Sequence, residues 1–134
     1  MMNKKKCYIC KESIIFLLFG LIYCEIEILY RGHTHWTMFI IGGLCGLLIG
    51  LINEVTPKMN IWLQMLLGSI IVTLIEFISG YILNIKLGLG IWNYSNLPFN
   101  FMGQIDLIFT IAWFFLSYAA IYLDDFFRKI MDEI

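Results

Sequence analysis

Charged residues fall into short bands along this chain, and the stretches between them are long and apolar. Residues 13–24 carry no charge, and neither do 36–53. Residues 61–75 carry none, and beyond Glu76 the run resumes to 85. The last run, 107–123, is led into by the uncharged 99–105. Each is close to the roughly 20 residues that a helix needs to cross a hydrocarbon core about 30 Å thick. The pattern predicts an all-α membrane protein, a bundle of about four transmembrane helices near 13–31, 36–53, 61–85 and 101–123. They form one polytopic membrane domain over 1–134, with an interfacial loop between helices 3 and 4. Over 124–134, Phe126, Phe127, Ile130 and Met131 are set against charges at helical spacing, which predicts a short amphipathic tail at the membrane surface.

Composition sharpens this picture. The chain is 60% hydrophobic and 14% charged, whereas ordinary globular domains are nearer half apolar and a quarter charged. No soluble domain fits, and nothing suggests nucleic-acid binding. The basic N-terminus followed by 14–23 has the outline of a signal peptide. No small-x-small cleavage site follows, so the segment is expected to remain as helix 1.

Charge placement orients the bundle. Lys4, Lys5, Lys6, Lys11, Lys58, Arg128 and Lys129 fall on one side, and Arg31 and Lys86 on the other. The positive-inside rule puts both termini in the cytoplasm, across the cell membrane. The loop after helix 1 and the loop before helix 4 then face outward together.

The cysteines specify no framework. Cys7 and Cys10 form a lone CxxC, and a zinc site needs two more ligands at similar spacing. Cys24 and Cys45 fall within helices and are expected to pack as small apolar residues. His33-Thr34-His35 offers two ligands near a carboxylate, a weak pattern in a short loop. No metal and no cofactor is expected.

Small and polar residues mark the inward faces. Gly42, Gly46 and Gly50 recur every fourth residue, the spacing that lets two membrane helices approach closely. Their partner is either another helix of the chain or a second copy, and a homo-oligomer is one expectation. Ser69, Thr73, Glu76, Gly80 and Asn84 form a stripe on helix 3; Gly103, Asp106, Thr110, Trp113 and Ser117 form one on helix 4.

Glu25, Glu27, Glu76 and Asp106, with Asn84 and Gln104, fall at similar depth, roughly 5–15 Å below the outer boundary. The inner half holds no carboxylate at comparable depth, since Glu12 and Glu54 lie at helix ends. An ionisable group inside a bilayer costs at least a few kcal/mol and marks a candidate site. One reading is a shared acidic pocket opening outward; the other is a structural polar network. Glu25 and Glu27 point to nearly opposite sides of a helix, so at most one faces squarely inward. Arg31, His33 and His35 sit just above and are candidate partners for the acids.

The stretch 88–104 (GLGIWNYSNLPFNFMGQ) is the polar exception among the apolar runs. Gly88 and Gly90 release the chain from helix 3. Trp92 and Tyr94 suit the headgroup level, where amphipathic aromatics anchor. Pro98 restricts the residue before it. Asn93, Ser95, Asn96 and Asn100 can satisfy exposed backbone or cap helix 4. The stretch reads either as a lid over the pocket or as an anchored hairpin.

Several of these motifs occur together, in order: Glu76-Phe77-Ile78-Ser79-Gly80, Ile91-Trp92-Asn93-Tyr94-Ser95, Pro98-Phe99-Asn100, Gly103-Gln104-Ile105 and Trp113. The set resembles the Putative ABC-transporter type IV family, CmpB-like bacterial integral membrane proteins. The resemblance is strongest over 76–113 and reaches back more loosely to Glu25 or Glu27 and to Arg31-Gly32 after helix 1. Asn93 stands where the family usually has an aspartate, and His33-Thr34-His35-Trp36 replaces a segment with Gly-Pro and cysteine. The resemblance implies a transporter or permease subunit working with a partner membrane protein or an ATPase. The chain has no GxxxxGK[ST] loop, so it is not expected to be the ATPase. Three functions stay open: a transporter subunit whose acids take a cation, proton or polar solute; a protein that binds or processes a lipid-linked headgroup; and a structural membrane protein without chemistry.

Overall fold

The computed structural model describes residues 4–133, with side chains from residue 8 onward, so the side chain of Cys7 lies outside the described residues. Four helices dominate it: α1 (Lys4–Arg31), α2 (Trp36–Val55), α3 (Ile61–Gly80) and α4 (Leu107–Glu133). All four contain segments long and apolar enough to cross a membrane. α3 runs on into a wider π turn, Tyr81–Lys86. The two-residue strands β1 (Asn100–Phe101) and β2 (Ile105–Asp106) pair antiparallel, Asn100 opposite Asp106 and Phe101 opposite Ile105.

Three boundaries depart from the sequence pattern. α1 begins at Lys4 instead of near 13, because no glycine or proline interrupts the intervening residues. α4 begins at Leu107 instead of near 101. Met102 and Gly103 take φ values of 55° and 72°, left-handed backbone that no helix can continue through. α4 also runs unbroken to Glu133, so the expected tail is its last turns.

Local chemistry sets the helix starts. The His35 ring nitrogen accepts from the Thr37 amide at 3.3 Å and opens α2. Asn60 Oδ1 accepts from the Trp62 amide at 2.8 Å and opens α3. These bonds satisfy amide donors that a first turn leaves orphaned.

α1 packs along α2, while α3 packs on α4 and α2; α1 and α4 meet only sparingly. The glycines on α2 explain the first contact. A methyl group on Gly42 would come to 2.4 Å from Tyr23, and one on Gly46 to 2.2 Å from Phe19. Aromatics of α1 thus lie in the glycine groove, and the close approach is made within the chain. Gly50 continues the row but faces α4. Between α3 and α4, the Ser69 hydroxyl donates to the Thr110 carbonyl at 2.6 Å, and Thr73 and Thr110 share a bond of 3.1 Å. Cys45, Ile49, Val72 and Ile121 form the buried apolar centre.

The two ends of the bundle differ. The start of α1, the end of α4 and the turn before α3 lie at one end, where Glu12 meets Arg128. The 32–35 loop and the β1–β2 hairpin lie at the other, where Arg31 reaches the Ile91 carbonyl.

Candidate functional site

Because α1 and α4 stand apart, the bundle holds a partly open cavity of about 330 Å³. Phe19, Ile22 and Ile26 of α1 and Ile41, Cys45 and Ile49 of α2 form much of its apolar wall. On α4 the small Ala112, Ala119 and Ala120 leave the space unfilled. At the hairpin end the wall turns polar, with Tyr23, Glu27, Arg31, Glu76, Tyr94 and Trp113.

The polar end is only partly self-satisfied. Glu27 accepts from the Tyr23 hydroxyl at 3.0 Å and from Arg31 Nε at 2.5 Å. Arg31 Nη1 donates to the Ile91 carbonyl at 2.9 Å, tying α1 to the long loop. Its Nη2 is buried and has no partner among the described residues. Glu76 is 8% exposed. The Trp113 indole and the Tyr94 hydroxyl bear on its carboxylate. The indole does not close that bond, since Trp113 Nε1 is buried without a partner among the described residues. Tyr94 stacks on Phe109 with ring centres 4.8 Å apart, and Tyr23 stacks on Trp113 at 5.8 Å. Burial pushes the Tyr94 phenol above its ordinary range, and the charges of Glu76 and Glu27 push it the same way. It therefore stays a donor at neutral pH.

The arrangement has a definite chemical character. Glu27 and Arg31 neutralise each other, leaving the Glu76 carboxylate, an idle guanidinium nitrogen and an idle indole around one space. A molecule with an apolar body and a polar head that both donates and accepts would complete them.

The other sequence candidates are placed differently. Asp106 is 2% exposed, and its Oδ1 accepts from the amides of Ile108 at 2.9 Å and Phe109 at 3.2 Å. It caps α4 and does not line the cavity, although its charge acts on Glu76. Asn84 and Gln104 are joined to each other at 2.8 Å, and Asn84 also accepts from the Ile91 amide at 2.7 Å. Trp92 donates to the Gln104 carbonyl at 3.0 Å. Asn93 accepts from the Ser95 amide at 2.9 Å, and Asn100 donates to the Leu97 carbonyl at 2.8 Å. These groups fasten the loop to itself and to α3. Only Trp92 and Tyr94 carry it to the cavity wall. His35 is occupied by its cap and by Thr37, while His33 and Glu25 are exposed. Neither histidine pairs with an acid among the described residues.

Sequence reasoning missed a second polar cluster at the terminal end. Asp124 is wholly buried, although hydropathy assigns it to the boundary. Arg128 donates from Nε to Asp124 Oδ2 at 2.9 Å, and from both terminal nitrogens to Glu12 at 2.7 and 3.0 Å. The Asp124/Arg128 spacing of one helical turn was the available signal. It was hidden because α4 continues through residues that hydropathy assigns to the boundary.

A family model described as Putative ABC-transporter type IV matches residues 7–134. No solved structure matches the chain.

Proposed function

We propose, for a chain that belongs to the Putative ABC-transporter type IV family, that this multi-pass membrane protein is the substrate-binding subunit of a transporter and takes an amphipathic molecule. The apolar body would lie in the cavity and the polar head against Glu27, Arg31 and Glu76. One observation carries this reading: apolar walls lead to a carboxylate, a guanidinium nitrogen and an indole, the last two without partners. A buried polar group left unpaired costs about 1–3 kcal/mol, which a matching headgroup would recover. A bare ion would find few oxygens along so apolar a wall.

The lysines and arginines at the terminal end support cytoplasmic termini in the cell membrane, with the hairpin outside. The pocket then opens towards the outer leaflet. A partner membrane protein or ATPase would supply the energy. A second reading, a cation or proton relay through Glu76, draws on the reach of the cavity from Arg31 to Leu123, which adjoins Asp124.

Native mass spectrometry of the chain released from membranes tests the proposal. Wild type should retain a co-purifying amphiphile, and Glu76→Gln should retain about tenfold less, matching roughly 1.4 kcal/mol. Equal retention by a folded Glu76→Gln would overturn amphiphile binding. Proton uptake in liposomes that disappears in Glu76→Gln, with no amphiphile bound, would favour the relay.

A further inference from the structure

α2 and α4 bring Glu54, Asp124 and Asp125 together at the terminal end, with one carboxylate oxygen of each within 4.8 Å of the others. Glu54 and Asp125 open to solvent, while Asp124 is wholly buried. The placement follows from helix geometry. Gly50, Asn53 and Glu54 share one face of α2, being three and four residues apart. Gly50 has no side chain, so the Asp124 carboxylate settles on the α2 backbone; a methyl group there would come to 2.1 Å from its Oδ1. Asn53 donates to Asp125 Oδ1 at 2.8 Å, which brings a further amide to the same spot.

Arg128 brings one positive charge to this spot. Arg128 Nε serves Asp124 at 2.9 Å and stands 3.5 Å from Glu54, while its terminal nitrogens are committed to Glu12. One guanidinium is thus shared among three carboxylates. Asp124 Oδ1 remains, fully buried and without a partner among the described residues. An acidic cluster alone signals little. The second observation is this carboxylate oxygen, buried against the Gly50 backbone with no partner among the described residues; an unpaired buried charge is costly, and a cation would relieve it.

We propose that Glu54, Asp124 and Asp125 form a binding site for a hard divalent cation, Mg²⁺ or Ca²⁺. The donors are carboxylate oxygens, which suit Mg²⁺, Ca²⁺ and Mn²⁺; the nitrogen and sulfur donors that favour zinc or copper are absent from the cluster. The exposed side leaves room for the waters that such ions keep. The ion would tie α2 to α4 just beyond Ile49 and Leu123, which line the far end of the cavity. This proposal stands apart from the amphiphile reading, since it uses none of the residues at the polar end.

Mn²⁺ titration of the full chain in an uncharged detergent, followed by electron paramagnetic resonance, tests it. Wild type should bind one Mn²⁺ saturably, and Mg²⁺ or Ca²⁺ should displace it. The double variant Glu54→Gln/Asp125→Asn changes two solvent-open side chains and should fold. It should bind at least tenfold more weakly, and Mg²⁺ should no longer raise its melting temperature. Asp124→Asn should weaken binding as well. Absence of saturable Mn²⁺ binding to wild type would overturn the site, as would equal affinity in the folded double variant. Binding that survives in the double variant but disappears in Glu76→Gln would also overturn it, by placing the ion at the other end of the bundle.

Discussion

Asp124 rests on Gly50, its Oδ1 lying where a side chain at position 50 would begin. This contact completes the glycine row of α2. Gly42 and Gly46 admit Tyr23 and Phe19 of α1, and Gly50 admits α4. One small-residue stripe thereby receives two different helices.

Gly50→Ala should therefore destabilise the bundle by about 1–3 kcal/mol, the usual cost of adding a methyl group to a packed contact. The added methyl would displace Asp124 and strain its pairing with Arg128. Gly46→Ala should cost a similar amount against the Phe19 ring. Thermal unfolding in detergent measures both. Unchanged melting of Gly50→Ala would show that the helices are not held at this distance.

Asp106 supplies a different kind of stability. Its Oδ1 serves two amides of the first turn of α4, so Asp106→Ala should cost about 0.5–2 kcal/mol. Asp106→Ser keeps a capping oxygen and should recover most of this. Neither change should alter amphiphile retention beyond the effect of stability. A well-folded Asp106→Ser that lost the amphiphile would return Asp106 to the binding site.

Asp106 also marks the boundary of what the sequence made legible. Uncharged runs located all four helices, and depth selected Glu25, Glu27, Glu76 and Asp106 with Asn84 and Gln104, of which Glu27 and Glu76 line the cavity. Arg31 entered only as a candidate partner just above them. Helical spacing grouped Asp106 with Trp113, but the helix begins after Asp106, so that periodicity does not reach it. The β1–β2 pairing was hidden because residues 99–105 prolong an apolar run. Phe99 and Met102, at φ 58° and 55°, are not residue types that signal left-handed backbone. Asp124 was hidden for a tertiary reason. Its burial depends on Gly50, which is far away in sequence, and hydropathy places both at a membrane boundary.

Trp92 carries the join between the long loop and α3. Its indole donates to the Gln104 carbonyl, and its ring would come to 2.9 Å from a methyl group on Gly80. Trp92→Phe leaves that buried carbonyl without its donor and should cost about 1–3 kcal/mol. Hydrogen exchange should quicken across residues 91–104 while α2 keeps its protection. Uniform quickening throughout the bundle would show that the loop is not a separate unit.

Tyr94 gives the clearest pH signature. Burial, with Glu76 and Glu27 beside it, holds its phenol above the ordinary value near 10. The folded state therefore keeps this proton when the unfolded chain has lost it. The resulting stability is fully present below about pH 10, and it declines as pH rises from there through the folded value. Tyr94→Phe has no such proton, so its stability should fall less steeply above pH 10 than that of wild type. Absorbance at 295 nm provides the direct check. Between about pH 9 and 11 the folded wild type and Tyr94→Phe should titrate with the same amplitude, because Tyr94 contributes nothing there. An amplitude smaller by one tyrosine in the variant would mean that the phenol ionises normally, and that Tyr94 is not enclosed with the two glutamates.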